Sequence, residues 1–166
     1  MSAHDLATLY RALDEAPAVA ERELMAAMTE ATMLLEREVK EYIPRGATGL
    51  TAASVTSDAF STPAGVLGVI GSSQASALFV EEGRRPGKGV SKLGQEALGA
   101  WAKAVLGVSD KEKKGVAFLI ARKIKREGIV AKRPFARALE DCGPEIDRMF
   151  ESAVGRIGAQ LTGGAA

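Results

Sequence analysis

The chain has one cysteine, Cys142, and one histidine, His4, among its 166 residues. These scarcities remove whole classes of chemistry. A single cysteine forbids an internal disulfide and suits a reducing compartment. A zinc site wants three or four His, Cys or carboxylate ligands at compatible spacing, and a histidine-based triad would have to use His4 near the N-terminus. Aromatics are sparse too, at 5%, so a core must be built largely from Ala, Leu, Val, Ile and Met. No run approaches the roughly 18 uninterrupted apolar residues of a membrane span. The first residues lack the basic and apolar regions of a signal peptide, so the chain is expected in the cytosol when made.

Reaction motifs are equally thin. Gly83 to Lys88 has three residues between its glycines, and Gly89 where a phosphate-binding loop needs Ser or Thr, so that motif fails. The carboxylate pairs Glu81-Glu82 and Glu140-Asp141 are adjacent in sequence, and neighbours on a helix do not face each other. Cys142 reads as a small buried hydrophobe, not a nucleophile. The expectation is a protein that is not an enzyme and takes no cofactor or metal.

What is present is an ordinary globular composition: 46% apolar and 26% charged residues, enough chain for one domain over 1–166 with a real core. The net charge of +1 is unevenly spread. Residues 1–50 hold five Lys/Arg against nine Asp/Glu, a net −4, while residues 110–133 hold nine against three, a net +6. Residues 51–109 come to +1 and 134–166 to −2. A basic middle between acidic ends fits a nucleic-acid face, a surface that stacks on copies of itself or on an acidic partner, or a solvated helix face. All three stay open at this level.

The apolar spacing lays out the elements. Leu6, Leu9, Tyr10 and Leu13 mark a short helix within 1–16, and Pro17 stands where a second helix would begin. Leu24, Met28, Ala31, Leu35, Val39 and Tyr42 carry that second helix to Pro44 and Gly46, a length of about 39 Å. Ser54–Ser57 and Val66–Ile70 read as strands around the turn Thr62-Pro63-Ala64-Gly65. Ser76–Glu82 fits one or two helical turns or an edge strand, and 83–90 is a basic, glycine-rich loop.

Further on, Leu93, Ala97, Leu98, Trp101 and Val105 share a face ahead of a C-capping Gly107. Ser109, with Glu112 three residues on, predicts the N-terminus of a basic helix over 110–127, which turns Val116, Leu119, Ile120 and Ile124 inward. A last helix runs from Pro134 towards Leu161, with a break or kink at Cys142-Gly143-Pro144 and a frayed tail over 162–166. Pro134 suits a first helical turn, where its missing N–H has no partner to lose, and Phe135, Ala138 and Leu139 follow on one face. Pro134, Phe135 and Leu139 are thus the expected structural anchor of that helix. A fully buried Phe135 would cost about 3–5 kcal/mol on truncation to alanine.

Read in order, these segments resemble the head–tail connector, or tail-completion, proteins of tailed bacteriophages, a family of neck or minor tail proteins. A long helix leads to Pro44-Arg45-Gly46-Ala47-Thr48-Gly49-Leu50, similar to the family's threonine-glycine lead-in to its sheet. Ala77-Leu78-Phe79-Val80-Glu81-Glu82-Gly83 resembles the segment ahead of its variable loop, although Leu78 and Phe79 stand where tyrosines are usual. Leu98-Gly99-Ala100-Trp101 resembles a region that some members carry after that loop. Gly128 through Leu139, with Lys132-Arg133-Pro134-Phe135-Ala136-Arg137-Ala138-Leu139 at its core, resembles the closing segment. The usual basic residues are absent at Ala53-Ser54.

The resemblance implies an α+β fold, with a small, mainly antiparallel sheet braced by a long N-terminal helix and two or three C-terminal helices. It implies a structural virion protein at the head–tail junction, made in the host cytoplasm and assembled as a homo-oligomeric ring. Its partners would be the portal-side adaptor and the tail terminator or tube, with no membrane and with DNA passing through the lumen. Composition, three cations in a glycine-rich loop, adds the expectation that Arg84, Arg85 and Lys88 form a partner-contact loop, mobile in the monomer and ordered on docking. The other expectation left standing is a nucleic-acid-binding module that uses the basic helix 110–127.

Overall fold

The computed structural model describes residues 3–44, 46 and 48–163, and the side chains of 10–44, 46 and 48–162. His4, Leu6 and Leu9 therefore have no described side chain, and Arg45, Ala47 and the last three residues of the expected tail have neither a described side chain nor a described fold. The fold is α+β: a two-stranded antiparallel sheet, a long N-terminal helix and several helices after the sheet. Among the described residues no helix is long and apolar enough to cross a membrane.

The chain divides into two compact units, each assembled from separate segments: 1–36, 56–71 and 139–166 in one, 37–55 and 72–138 in the other. In the first unit, helix α1 (Ala3–Tyr42) supplies residues up to Glu36. One continuous helix thus replaces the expected short helix and restart at Pro17. An internal proline deletes only the bond to the carbonyl four residues back. Pro17 lies on an exposed face beside Leu13, itself 61% exposed, so water can solvate that carbonyl and the helix runs on. At 1.5 Å per residue the 40 residues make a rod about 60 Å long.

The buried stripe of α1 in this unit is Ala27, Ala31, Thr32 and Leu34, with Leu24, Met28 and Leu35 half-buried at its margins. Thr32 is satisfied inside the helix, its hydroxyl donating to the Thr29 carbonyl at 3.0 Å. Strands β1 (Val55–Thr62) and β2 (Gly65–Ser72) form the expected hairpin around Pro63 and Ala64. Gly68 lets β2 approach α1 closely: a Cβ there would fall 2.5 Å from Thr32 Cγ2 and 2.6 Å from Met28 Sδ. Ser57 and Ser61 donate to Glu36 (2.6 Å) and Glu21 (2.5 Å), fastening β1 along the same helix.

Helix α6 (Pro134–Gly163) completes this unit from Leu139 onward. It buries Cys142 and Ala153 and is unbroken at Pro144, which is also exposed. The expected break at Cys142-Gly143-Pro144 is absent, and Thr162 belongs to the helix rather than to a tail. Glu23 of α1 joins the two helices, accepting from Arg156 Nε at 2.8 Å and from Gln160 Nε2 at 2.9 Å. Arg22 also reaches Gln160. The bonds that Glu23 accepts, the Arg156 one foremost and one from Arg22 among them, pull its carboxyl down from 4.5 to about 2.

The second unit holds the end of α1 with Val39 buried, Ile43 buried just after it, then α2 (Leu50–Ala53), α3 (Ala75–Glu82), α4 (Lys92–Leu106), α5 (Lys113–Glu127) and the start of α6. Helix α4 opens at Ser91, whose hydroxyl accepts from Gly94 N–H at 3.2 Å, and closes at Gly107 in the left-handed conformation expected of it. Its buried residues are Gly99 and Ala102, and those of α5 are Ala117 and Ala121. Small side chains let the two backbones come close, with the Cβ position of Gly99 only 3.6 Å from the Lys113 carbonyl and 3.8 Å from Ala117 Cβ.

That seam corrects the expected faces. Leu93 (78% exposed), Val105 and Leu119 (61%) face solvent, because a seam of glycine and alanine has no room for them. Helix α5 also starts later than Ser109 suggests. Its N-cap is Glu112, and the Ser109 hydroxyl donates to the Glu112 carboxylate at 2.5 Å instead of accepting from the helix. The turn between α4 and α5 is clasped by Asp110, which accepts from Lys103 (2.6 Å) and Lys113 (2.8 Å). The Lys103 bond leads in lowering its carboxyl from 3.8 to about 2.

Candidate functional site

The loop singled out by its cations begins where α3 ends. Gly83, at φ 73°, turns the chain out of the helix, and Arg84 pairs antiparallel with Ile129 through two backbone bonds of 2.8 Å. Gly128, at φ 78°, lies opposite. A Cβ on Gly83 would sit 2.4 Å from the Ile129 carbonyl, and one on Gly128 would sit 2.2 Å from the Arg84 carbonyl. No side chain fits at either place. Gly87 N–H adds a bond to the Lys125 carbonyl at 2.8 Å, and Lys132 N–H one to the Val80 carbonyl at 2.8 Å.

The same end of α3 holds the start of α6. Both carboxylate oxygens of Glu81 accept from first-turn amides, Phe135 N–H at 2.9 Å and Ala136 N–H at 3.2 Å. A helix N-terminus exposes unpaired N–H groups and partial positive charge, and a carboxylate meets both needs. Residue 133, which precedes the helix, is an arginine at φ 51°, so it offers no side-chain oxygen of the Ser/Asp type as a local cap. The cap comes instead from 54 residues upstream.

The anchor residues divide. Pro134 is almost wholly buried, Ala138 is 0% exposed and Phe135 is half-buried, whereas Leu139 is 59% exposed. Burial at 134 and 138 follows the four-residue period, and residue 139 lies about 100° round the helix from 138. Arg137 instead places its guanidinium 4.5 Å from the centre of the Tyr42 ring.

The three loop cations also divide. Arg84 is half-buried and donates to the Gly89 carbonyl at 2.8 Å, closing the loop on itself. Arg85 and Lys88 are exposed and have no carboxylate partner among the described residues. The loop is therefore tied at Arg84, Gly87 and Ser91, and presents two cations rather than three.

Beside this loop lies a solvent-open cleft of about 1120 Å³ that sequence periodicity did not disclose. Its wall is apolar, with Phe79 and Val80 from α3, Val90 from the loop, Leu98 and Trp101 from α4, Ile120 and Ile124 from α5, and Ile129. Its charged lining residues are Arg84, Lys88 and Lys123, with no carboxylate. Of these, Ile120 and Ile124 are expected inward from the sequence, and Leu98 and Trp101 on a shared helix face. The available signal was the run of glycine and alanine at 99, 102, 117 and 121, which closes the α4–α5 seam and leaves the larger side chains to line a surface.

The remaining positive charge of α5 is partly answered locally. Glu127 pairs with Arg126 and, at 3.9 Å, with Lys123, and the Arg126 bond lowers its carboxyl. Lys114, Arg122 and Lys125 stay exposed, with Phe118 beside them at 58% exposure. Among the described residues no three His, Cys, Asp or Glu side chains gather as metal ligands.

Comparison with known proteins returns no family model, no curated protein and no solved structure that matches the chain.

Proposed function

We propose that this protein is a structural virion component of a tailed phage, a neck or tail-completion subunit that joins head and tail through ring-like protein–protein assembly. The observation that carries the reading is the Glu81–Phe135 joint. Two of the segments that carry the resemblance, Ala77–Gly83 and Pro134–Leu139, meet there, which supports reading them as parts of one unit. The loop rooted at this joint carries Arg85 and Lys88 into solvent, where they suit acidic groups on a neck partner. No catalytic step and no cofactor enters this role; its site of action is the head–tail junction, after synthesis in the host cytoplasm.

The test is genetic and structural. Deleting the chain from the element that encodes it should give filled heads and separate tails by electron microscopy, and the Arg85→Glu/Lys88→Glu chain should fold but fail to restore joining. Normal tailed particles in the deletion would refute the proposal.

A second reading has its own observation, the exposed Lys114, Arg122 and Lys125 with Phe118 on α5. A nucleic-acid module using this face would bind duplex or single-stranded DNA with affinity that falls steeply as salt rises. Salt-insensitive or absent binding removes it.

A further inference from the structure

Taking ring assembly from the proposed function, we infer that the apolar cleft beside Trp101 receives the N-terminal turns of α1 from a second copy of this chain. Three observations converge on that occupant. The first is the cleft itself. At about 1120 Å³ and open to solvent it exceeds the roughly 300–1,000 Å³ of small-molecule pockets, so it suits a segment of chain.

The second is a segment with matching chemistry. Helix α1 carries Tyr10 and Leu13 at 71% and 61% exposure, uncovered by anything else in the chain. In the sequence they extend a series Leu6, Leu9, Tyr10, Leu13, which is the i, i+3, i+4, i+7 spacing of a helix that lays one face in a groove. The third is charge. Asp5, Asp14 and Glu15 outnumber the one arginine, Arg11, in this segment, whereas the charged residues lining the cleft are Arg84, Lys88 and Lys123, a net positive set even with Glu127 3.9 Å from Lys123. Opposite charges at the rim set register and orientation, and the apolar face supplies the affinity.

A contact in which one surface of each copy meets a different surface of the next is heterologous, and such contacts close into rings when the rotation permits. The interaction is therefore of the heterologous kind that ring subunits use.

Sedimentation of the full-length chain over a concentration series tests this with two variants. In Lys88→Glu/Lys123→Glu the cleft and the N-terminal segment are both acidic; in Asp14→Lys/Glu15→Lys both are basic. All four positions are exposed. Wild type should self-associate, less so at high salt. Each variant alone should associate about tenfold or more weakly, and an equimolar mixture should recover wild-type association, because each acidic segment then meets a basic cleft and each basic segment an acidic one. That recovery also requires both variants to be folded. A wild type that stays monomeric, variants that associate as tightly as wild type, or a mixture that fails to recover would overturn the inference. Loss of joined particles on gene deletion is read separately, so the neck assignment can stand while this contact falls.

Discussion

Glu81 and Phe135 are joined across 54 residues by a 2.9 Å hydrogen bond from the Phe135 amide to the Glu81 carboxylate, and the neighbouring Ala136 amide takes the other oxygen at 3.2 Å. The pair locks the end of α3 to the start of α6, and the loop between Gly83 and Val90 grows from that lock. Removing the carboxylate leaves two helix amides without their acceptor. Glu81→Ala is expected to lower unfolding stability by about 1–2 kcal/mol, with Glu81→Gln losing less because one oxygen remains. Glu82→Ala, at the adjacent exposed position, should be near neutral by urea denaturation.

The Arg84–Ile129 bridge is the second device at the base of the loop. Gly83→Ala and Gly128→Ala each combine a positive φ with a collision against a backbone carbonyl, at 2.4 and 2.2 Å. Each should destabilise by more than about 2 kcal/mol. Amide exchange should locate the damage, with the Arg84 and Ile129 N–H groups losing protection before those of α6.

Acid sensitivity follows from the carboxylates held low. Glu23 titrates near 2 in the folded chain against an ordinary 4.5, and Asp110 near 2 against 3.8. A depressed folded pKa means the ionised group favours folding: the contribution is full above the ordinary pKa and is lost as pH falls through the folded one. Arg156→Ala should therefore be less stable than wild type at neutral pH, and the difference should shrink between about pH 4.5 and 2. Paired urea titrations at neutral and acid pH check the sign; a gap that widens in acid contradicts the Glu23 assignment.

Positions 135, 138 and 139 separate the two ways of reading the start of α6. Leu139→Ala should change stability by less than about 0.5 kcal/mol, as exposed sites do, whereas Ala138→Leu should cost about 1–3 kcal/mol by overpacking. Phe135→Ala, at a half-buried site, should fall below the 3–5 kcal/mol of a fully buried aromatic. Thermal melts of the three variants are sufficient.

Much of the architecture was legible because it is local. The α1 stripe through Ala31 and Val39, the Thr62–Gly65 turn and the Gly107 cap each depend on residues a few positions apart, and spacing records them. The departures from local expectation share a cause as well. Pro17 and Pro144 were read as punctuation, yet an exposed helical proline removes one replaceable bond and need not stop a helix already held by its neighbours. Periodicity identifies an apolar face without saying which residues on it meet a partner, so it does not foretell that Leu93, Leu119 and Leu139 stay exposed. The loop was recognised by composition, but nothing in the sequence says that Arg84 would turn back on Gly89 while Arg85 and Lys88 point out.

Local spacing was enough for the hairpin, the helix through Ala31 and Val39 and the position of the basic loop, since backbone propensity and apolar period act within a few residues, while the α+β class was what the resemblance implied. Packing was needed for the Glu81 cap, the Gly83–Gly128 approach, the glycine–alanine seam between α4 and α5 and the cleft it leaves open. Each of these joins positions far apart along the chain. A contact at long range leaves no local period, so it becomes visible only when the distant segments are brought together.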